Sequence, residues 1–286
     1  YRSEVTVKLL CLDPAEMVDS RLKLGRCTAL FSATLSPPSY YKTVLGCDTP
    51  QEVTHSYALP SPFDPQNLCL LICPQINTRW AAREESLVPI ARLLFAMVSA
   101  KSGNYLVYFP SYQYLQMEAE TFSKLYPQVE LLLQSPEMDD SQREQFLRRF
   151  DNPHPNAPLL AFAVLGGIYS EGVDLKGEKL LGSAIIGTGL PKVGAQQEIL
   201  RDYYQEKNQM GYDFAYRYPG MNKVLQAAGR VIRSDSDRGV VMLLDDRFAA
   251  PSYRRLFPAH WAQARCIFSQ EELEAQLADF WGTSPR

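Results

Sequence analysis

Apolar positions along this chain come in blocks rather than singly. Short runs with no polar face are followed by polar loops and then by stretches of helical spacing. The runs cover residues 27–33, 68–73, 105–109, 129–133, 159–164, 181–186 and 240–244. Runs of this length suit strands covered on both faces, as in parallel sheets. Between them, residues 84–101 place Leu87, Ile90, Ala91, Leu94, Met97 and Val98 at helical intervals. Residues 112–126 predict another helix. Residues 139–150 predict a third, with Asp139 and Asp140 where carboxylates suit the helix dipole. A Ser269/Glu272 capping box opens a final helix that ends before Gly282. The alternation predicts an α/β fold: a mostly parallel sheet with helices on both faces. Ligands of such sheets bind at loops beyond the carboxyl ends of the strands.

Three prolines between Pro60 and Pro65 mark the main linker. With 286 residues, 46% of them hydrophobic, the chain can bury one large core or two unequal ones. A net charge of −3 makes any nucleic-acid contact local rather than global. No apolar run reaches the roughly 18 residues of a membrane span, and no signal-peptide pattern opens the chain. The first residue is Tyr1, so the chain reads as a piece of a longer protein. The six cysteines form no C-x-x-C pair, and the three histidines are scattered. Buried free thiols in a reducing compartment fit better than disulfides or zinc.

Polar motifs follow several of the strands. Pro110-Ser111-Tyr112 follows residues 105–109, placing a hydroxyl and an aromatic at a helix start. Ser111 fits an N-cap, and helix N-termini also bind phosphates, so the two roles are compatible. A glycine-rich loop with a hydroxyl and two acids follows residues 159–164: Gly166-Gly167-Ile168-Tyr169-Ser170-Glu171-Gly172-Val173-Asp174. It reads either as a functional loop or as a turn whose acids cap the next segment.

The densest motif is Gln226-Ala227-Ala228-Gly229-Arg230-Val231-Ile232-Arg233. On a helix, Gln226, Arg230 and Arg233 fall at i, i+4 and i+7 and share one face. Like charges at this spacing cost about 0.2–0.5 kcal/mol, and a mid-helix glycine about 1 kcal/mol. An anion between the arginines offsets both costs. A surface helix whose arginines pair with Asp235 and Asp237 is the alternative.

Taken in order, these blocks resemble the second motor domain of superfamily-two DNA helicases of the XPD/DinG type. Phe31-Ser32-Ala33-Thr34-Leu35-Ser36-Pro37 resembles motif III, and Val107-Tyr108-Phe109-Pro110-Ser111-Tyr112 resembles motif IV. Ser170 to Asp174 resembles motif V. Gln226 to Arg233 with Asp237-Arg238-Gly239 resembles motif VI, followed by Leu243-Leu244-Asp245-Asp246-Arg247-Phe248. Leu12-Asp13-Pro14 and Ser61-Pro62-Phe63 sit where bacterial DinG-like members carry them.

The resemblance implies a RecA-like domain over residues 61–286, with residues 1–60 the tail of a first motor domain. It implies ATP and Mg2+ held mainly by that absent domain. Arg230 and Arg233 would reach the nucleotide phosphates, Gln226 would orient them, and Glu171, Gly172 and Asp174 would lie at the same cleft. Thr34, at the end of the first domain's last strand, would contact single-stranded DNA along with Ser111, Tyr112 and Ser170. The partners implied are single-stranded and forked duplex DNA and the N-terminal motor domain, with 5′ to 3′ unwinding in repair or replication. No membrane is implied, and the bacterial likeness suggests a cytoplasmic, nucleoid-associated protein.

Two positions depart from the family pattern. Many relatives carry a lysine two residues before the motif V serine, and here that position is Ile168; one phosphate or acid contact is therefore missing or supplied elsewhere. Leu190-Pro191-Lys192 stands where relatives have an aromatic third residue. Tyr203, Tyr204, Tyr212, Tyr216 and Tyr218 follow, read as helix-face packing ahead of base stacking. No phosphate-cradling G-x-x-x-x-G-K-[ST] loop and no acidic D-E-x-H box occur, so the chain alone is expected not to hydrolyse ATP. Any iron–sulfur cluster of the full protein would lie upstream. A helicase-derived binding or regulatory module is the alternative; a metal-dependent nuclease lacks a suitable acidic cluster.

Overall fold

The computed structural model describes residues 7–47, 54–151, 157–169 and 175–283. In chain order the elements are α1 (Ala15–Leu22), α2 (Pro38–Val44), β1 (Leu68–Ile72), α3 (Arg83–Ala100), β2 (Asn104–Phe109), α4 (Tyr112–Leu125), β3 (Glu130–Leu133) and α5 (Asp140–Arg148). They continue with β4 (Leu159–Val164), β5 (Gly182–Ile186), α6 (Ala195–Asn208), α7 (Tyr218–Ala228), β6 (Gly239–Leu244), α8 (Pro251–Arg254), β7 (Arg265–Cys266) and α9 (Gln270–Trp281). Two compact units result: Tyr1–Leu59 with Pro191–Pro219, and Pro60–Leu190 with Gly220–Arg286.

The second unit carries a seven-stranded sheet in the order β3-β4-β2-β5-β6-β1-β7, parallel at every pairing. Every residue of β2, β5 and β6 is buried, so both faces of the sheet are covered. One face presents Tyr105, Val107, Phe109, Phe162, Ile186, Met242 and Leu244 to a core shared with α3, α4 and α9. Each such side chain contributes roughly 1.5–3 kcal/mol on burial. Alternate positions, among them Leu106, Tyr108, Ile185 and Leu243, are equally buried and belong to the opposite face.

The helix starts follow their local chemistry. Ser111 caps α4, accepting the Tyr114 N–H at 3.3 Å. Asp139 and Gln142 form a reciprocal capping box on α5, at 2.8 and 3.0 Å. On α9, Ser269 accepts the Glu272 N–H at 3.2 Å, while the Glu272 carboxylate reaches one residue further back, to the Phe268 N–H at 2.7 Å.

In the first unit, the strand expected at residues 27–33 is not formed. The segment is irregular and exposed, with Phe31 91% accessible, and Thr34 lies in a turn whose N–H donates to Ser32 Oγ at 3.2 Å. Among the described residues of this unit there is no strand to pair with it, and an unpaired strand leaves its backbone groups unsatisfied. The tyrosine-rich segment packs instead. Tyr204, Tyr216 and Tyr218 are buried; Tyr204 stacks on Phe214 at 4.3 Å, and Tyr40 meets Phe214 and Tyr218 at 4.9 and 5.1 Å. Asp13 anchors to α6 through Lys207 and the Tyr203 hydroxyl, the latter at 2.7 Å. The cysteines also differ from expectation: only Cys73 is buried, and Cys11 and Cys27 are exposed because the N-terminal segment has no core over it.

Candidate functional site

The carboxyl ends of β2, β3 and β4 form one polar strip. Tyr112 begins α4, one residue beyond the Ser111 cap. Its hydroxyl accepts from the Gln134 amide at 3.0 Å. Gln134 directly follows β3 and is 7% exposed; its side-chain oxygen accepts the Val164 N–H at 2.8 Å and its own N–H donates to the Phe162 carbonyl at 2.9 Å. A single buried amide thus ties the tyrosine to the edge of β4. Beyond β4, Gly166 holds φ +78°, a region that disfavours side chains. A Cβ there would come 2.9 Å from Lys223 Cδ and 3.4 Å from Lys223 Nζ. The glycine thereby lets the lysine stem from α7 lie against the loop. Neither Gln134 nor Lys223 was singled out by sequence reasoning. Both depend on long-range contacts that local spacing does not carry.

The arginine motif departs from its expected form. α7 ends at Ala228, Gly229 and Arg230 form a turn, and Arg233 lies beyond any helix. Gln226, Arg230 and Arg233 therefore do not share a helical stripe. The last turn tightens through Arg230 N–H to Ala227 O and Val231 N–H to Ala228 O, both 3.3 Å. Two long-range contacts then take the chain. Val231, 2% exposed, packs so closely on Gly239 that a Cβ there would lie 2.3 Å from Val231 Cγ1. Asp237 gathers the loop, accepting the N–H groups of Arg233 and Ser234 at 2.6 and 2.8 Å, the Ser234 hydroxyl at 2.7 Å and the Gly177 N–H at 3.0 Å. Burial pushes its carboxyl upward, yet the Ser234 hydroxyl and three backbone N–H groups hold it below the ordinary value.

Arg230 is half-buried and Arg233 exposed. Burial raises the pKa of the Tyr108 phenol, and the charge of Arg230 opposes that shift. Tyr108 itself donates to the Tyr169 carbonyl at 3.0 Å. The sequence-predicted residues of the loop after β4, Ser170, Glu171, Gly172 and Asp174, lie outside the described residues.

A second network sits at the ends of β1 and β6. Asp245, fully buried, accepts the Thr78 hydroxyl and the Arg247 guanidinium, the latter at 2.7 and 2.8 Å. Burial raises its pKa, and the hydrogen bonds and charge of Arg247 pull it below the ordinary carboxylate value. Next to it, the Arg83 guanidinium lies 4.9 Å from the rings of both Trp80 and Tyr114. Among the described residues no group of three His, Cys, Asp or Glu side chains could hold a metal ion, and no helix is long and apolar enough to cross a membrane.

Residues 94–264 match the sequence profile of the helicase C-terminal domain. The chain is 22% identical over 271 residues to the ATP-dependent DNA helicase CHL1 of Debaryomyces hansenii, covering 86% of this chain and 33% of that protein. It is 24% identical over 277 residues to the ATP-dependent DNA helicase chl1 of Schizosaccharomyces pombe, covering 88% of this chain and 32% of that protein. The chain thus spans about a third of the length of these curated relatives. The solved XPD apo structure superposes with a TM-score of 0.61 at 21% identity, over 83% of this chain and 47% of that one. That likeness shows the RecA-like α/β fold anticipated from the motif order. The relatives named are fungal, so the bacterial subtype suggested by Leu12-Asp13-Pro14 finds no support among them.

Proposed function

The chain belongs to the helicase C-terminal domain family, and on that premise we propose that it is the second motor lobe of an ATP-dependent DNA helicase of XPD/DinG type. Residues 61–286 are the RecA-like lobe, and residues 1–60 the tail of the first. One observation carries most of the weight. The buried Asp237 carboxylate accepts the N–H groups of Arg233 and of Gly177, which ties the end of the arginine motif to the segment that follows the glycine-rich loop.

In this reading Arg230 and Arg233 extend toward ATP held on the first lobe. Phosphoryl transfer gathers negative charge on the equatorial oxygens, and a planar guanidinium engages two of them at once. Asp237 fixes the backbone from which Arg233 projects, and Gln226 orients the cluster from the end of α7. Glu171, Gly172 and Asp174 belong to the nucleotide side of the loop. Ser111, Tyr112, Ser170 and Thr34 hold the backbone of single-stranded DNA without reading its sequence. Mg2+ and any iron–sulfur cluster belong to segments outside this chain. Forked duplex DNA is the substrate, with 5′ to 3′ movement.

The test is Arg230→Ala in the intact protein. DNA-stimulated ATP hydrolysis falls by about 10³–10⁵ while nucleotide affinity stays close to wild type. Turnover near the wild-type rate removes the role assigned to Arg230.

A further inference from the structure

We propose that Lys223 is a phosphate-contacting residue of the strip at the carboxyl ends of β2, β3 and β4, gripping the backbone of single-stranded nucleic acid. The inference rests on the motor reading above and adds a residue to it.

Lys223 projects from α7 over Gly166, and among the described residues no hydrogen bond or ion pair engages it. Its stem is half-buried, so rotamer freedom is lost without an acid among the described residues to offset the loss. The position is also built. Gly166 holds φ +78°, which disfavours any side chain there, and the Lys223 stem lies 2.9 Å at Cδ from where a Cβ would be. The backbone conformation calls for glycine, and the lysine stem lies in the space that the glycine leaves open.

The neighbours define the ligand. A Cβ on the next residue, Gly167, would lie 3.7 Å from the Gln134 amide nitrogen, which donates to Tyr112 at 3.0 Å. Tyr112, Gln134, the two glycines and Lys223 form one continuous line of contacts across three strand ends. It offers an aromatic ring, a hydroxyl and a single cation. This is the mixture that holds single strands, in which bases stack and phosphates pair with lysine or arginine. Ile168, 44% exposed on the same loop, brings no charge there, so Lys223 supplies the cation that the loop itself lacks.

The intact protein separates the possibilities. The affinity of Lys223→Met and Lys223→Arg for a labelled single strand is measured from about 50 to 200 mM salt. Each phosphate contact to a single strand contributes about 0.7 to the slope of log K against log salt. The Met variant, which keeps the apolar stem over Gly166, loses about 0.7 from that slope. Its deficit relative to wild type accordingly shrinks about 2.6-fold across the range. The Arg variant keeps the wild-type slope, and ATP affinity without DNA is unchanged in both. Equal slopes in the Met and Arg variants overturn the proposal. So does a loss confined to ATP affinity, which would make the phosphate that of the nucleotide. Wild-type protein that fails to bind single strands removes the motor reading and the lysine together; salt-dependent binding with an unaltered slope in Lys223→Met removes the lysine alone. Gln at the same position replaces Met if the Met variant unfolds.

Discussion

Residues 27–33 and 68–73 are two apolar runs of similar length and opposite fate. The second becomes β1 and is paired on both sides, with Leu71 and Ile72 matched to Met242 and Leu243 of β6 and to Arg265 and Cys266 of β7. Leu70, Leu71 and Ile72 are at most 2% exposed. The first run forms no strand, and Phe31 is 91% exposed. Residues 27–33 mix Thr, Ser and Ala with their apolar residues, but the larger difference lies in the company available. A strand is stable only where neighbours satisfy its backbone groups and cover its faces. The exposed run has the composition of a strand whose sheet is supplied from elsewhere, in keeping with the proposal that residues 1–60 close off a first motor lobe.

Perturbing the two runs separately sharpens the contrast. The largest effect is expected in β6, the strand that pairs with the second run. Leu243, fully buried and with its carbonyl accepting the Cys73 N–H at 2.9 Å, costs about 2–5 kcal/mol when cut to alanine; urea unfolding of this chain measures it. A loss below 1 kcal/mol would mean that β6 is not the centre of the core.

A smaller effect is expected where the chain enters β6. Asp237→Asn weakens four hydrogen bonds and costs roughly 1–3 kcal/mol at neutral pH. The sign of its pH dependence follows from the lowered folded pKa. The stabilisation is fully present above the ordinary carboxylate value of about 4 and is lost as pH falls through the lower folded value. The gap between wild type and Asp237→Asn, followed by urea unfolding, therefore narrows in acid. A gap that widened there would reverse the assignment. The smallest effect belongs to the unpartnered run: Phe31→Ser changes the stability of the isolated chain by no more than about 0.5 kcal/mol. A large loss on thermal unfolding would show that residues 27–33 are already packed.

Local pattern made much of the second unit legible. β4 has the bounds expected of it, β1, β2, β5 and β6 fall within a residue of theirs, and Ser111 and Ser269 cap their helices as read, while Asp139, read as an acid of the first helical turn, is the N-cap of α5. These features depend on residues a few positions apart, and such distances are written in the sequence itself. The end of α7 is another matter. Through Arg233 the spacing is helical, yet the helix stops at Ala228 because Val231 gains more from packing on Gly239, and the main chain more from Asp237, than from another turn.

The sequence by itself determined the parallel α/β architecture, the order of the motifs and the residue types that chemistry on phosphates requires. Only the tertiary structure decided which residues meet: Asp237 across to Gly177, Gln134 under Tyr112, Lys223 across Gly166. The physical reason is range. Periodicity and capping are settled within a turn or two of chain, whereas these meetings join segments tens of residues apart, and their free energy exists only once the sheet has set the distances between its strand ends.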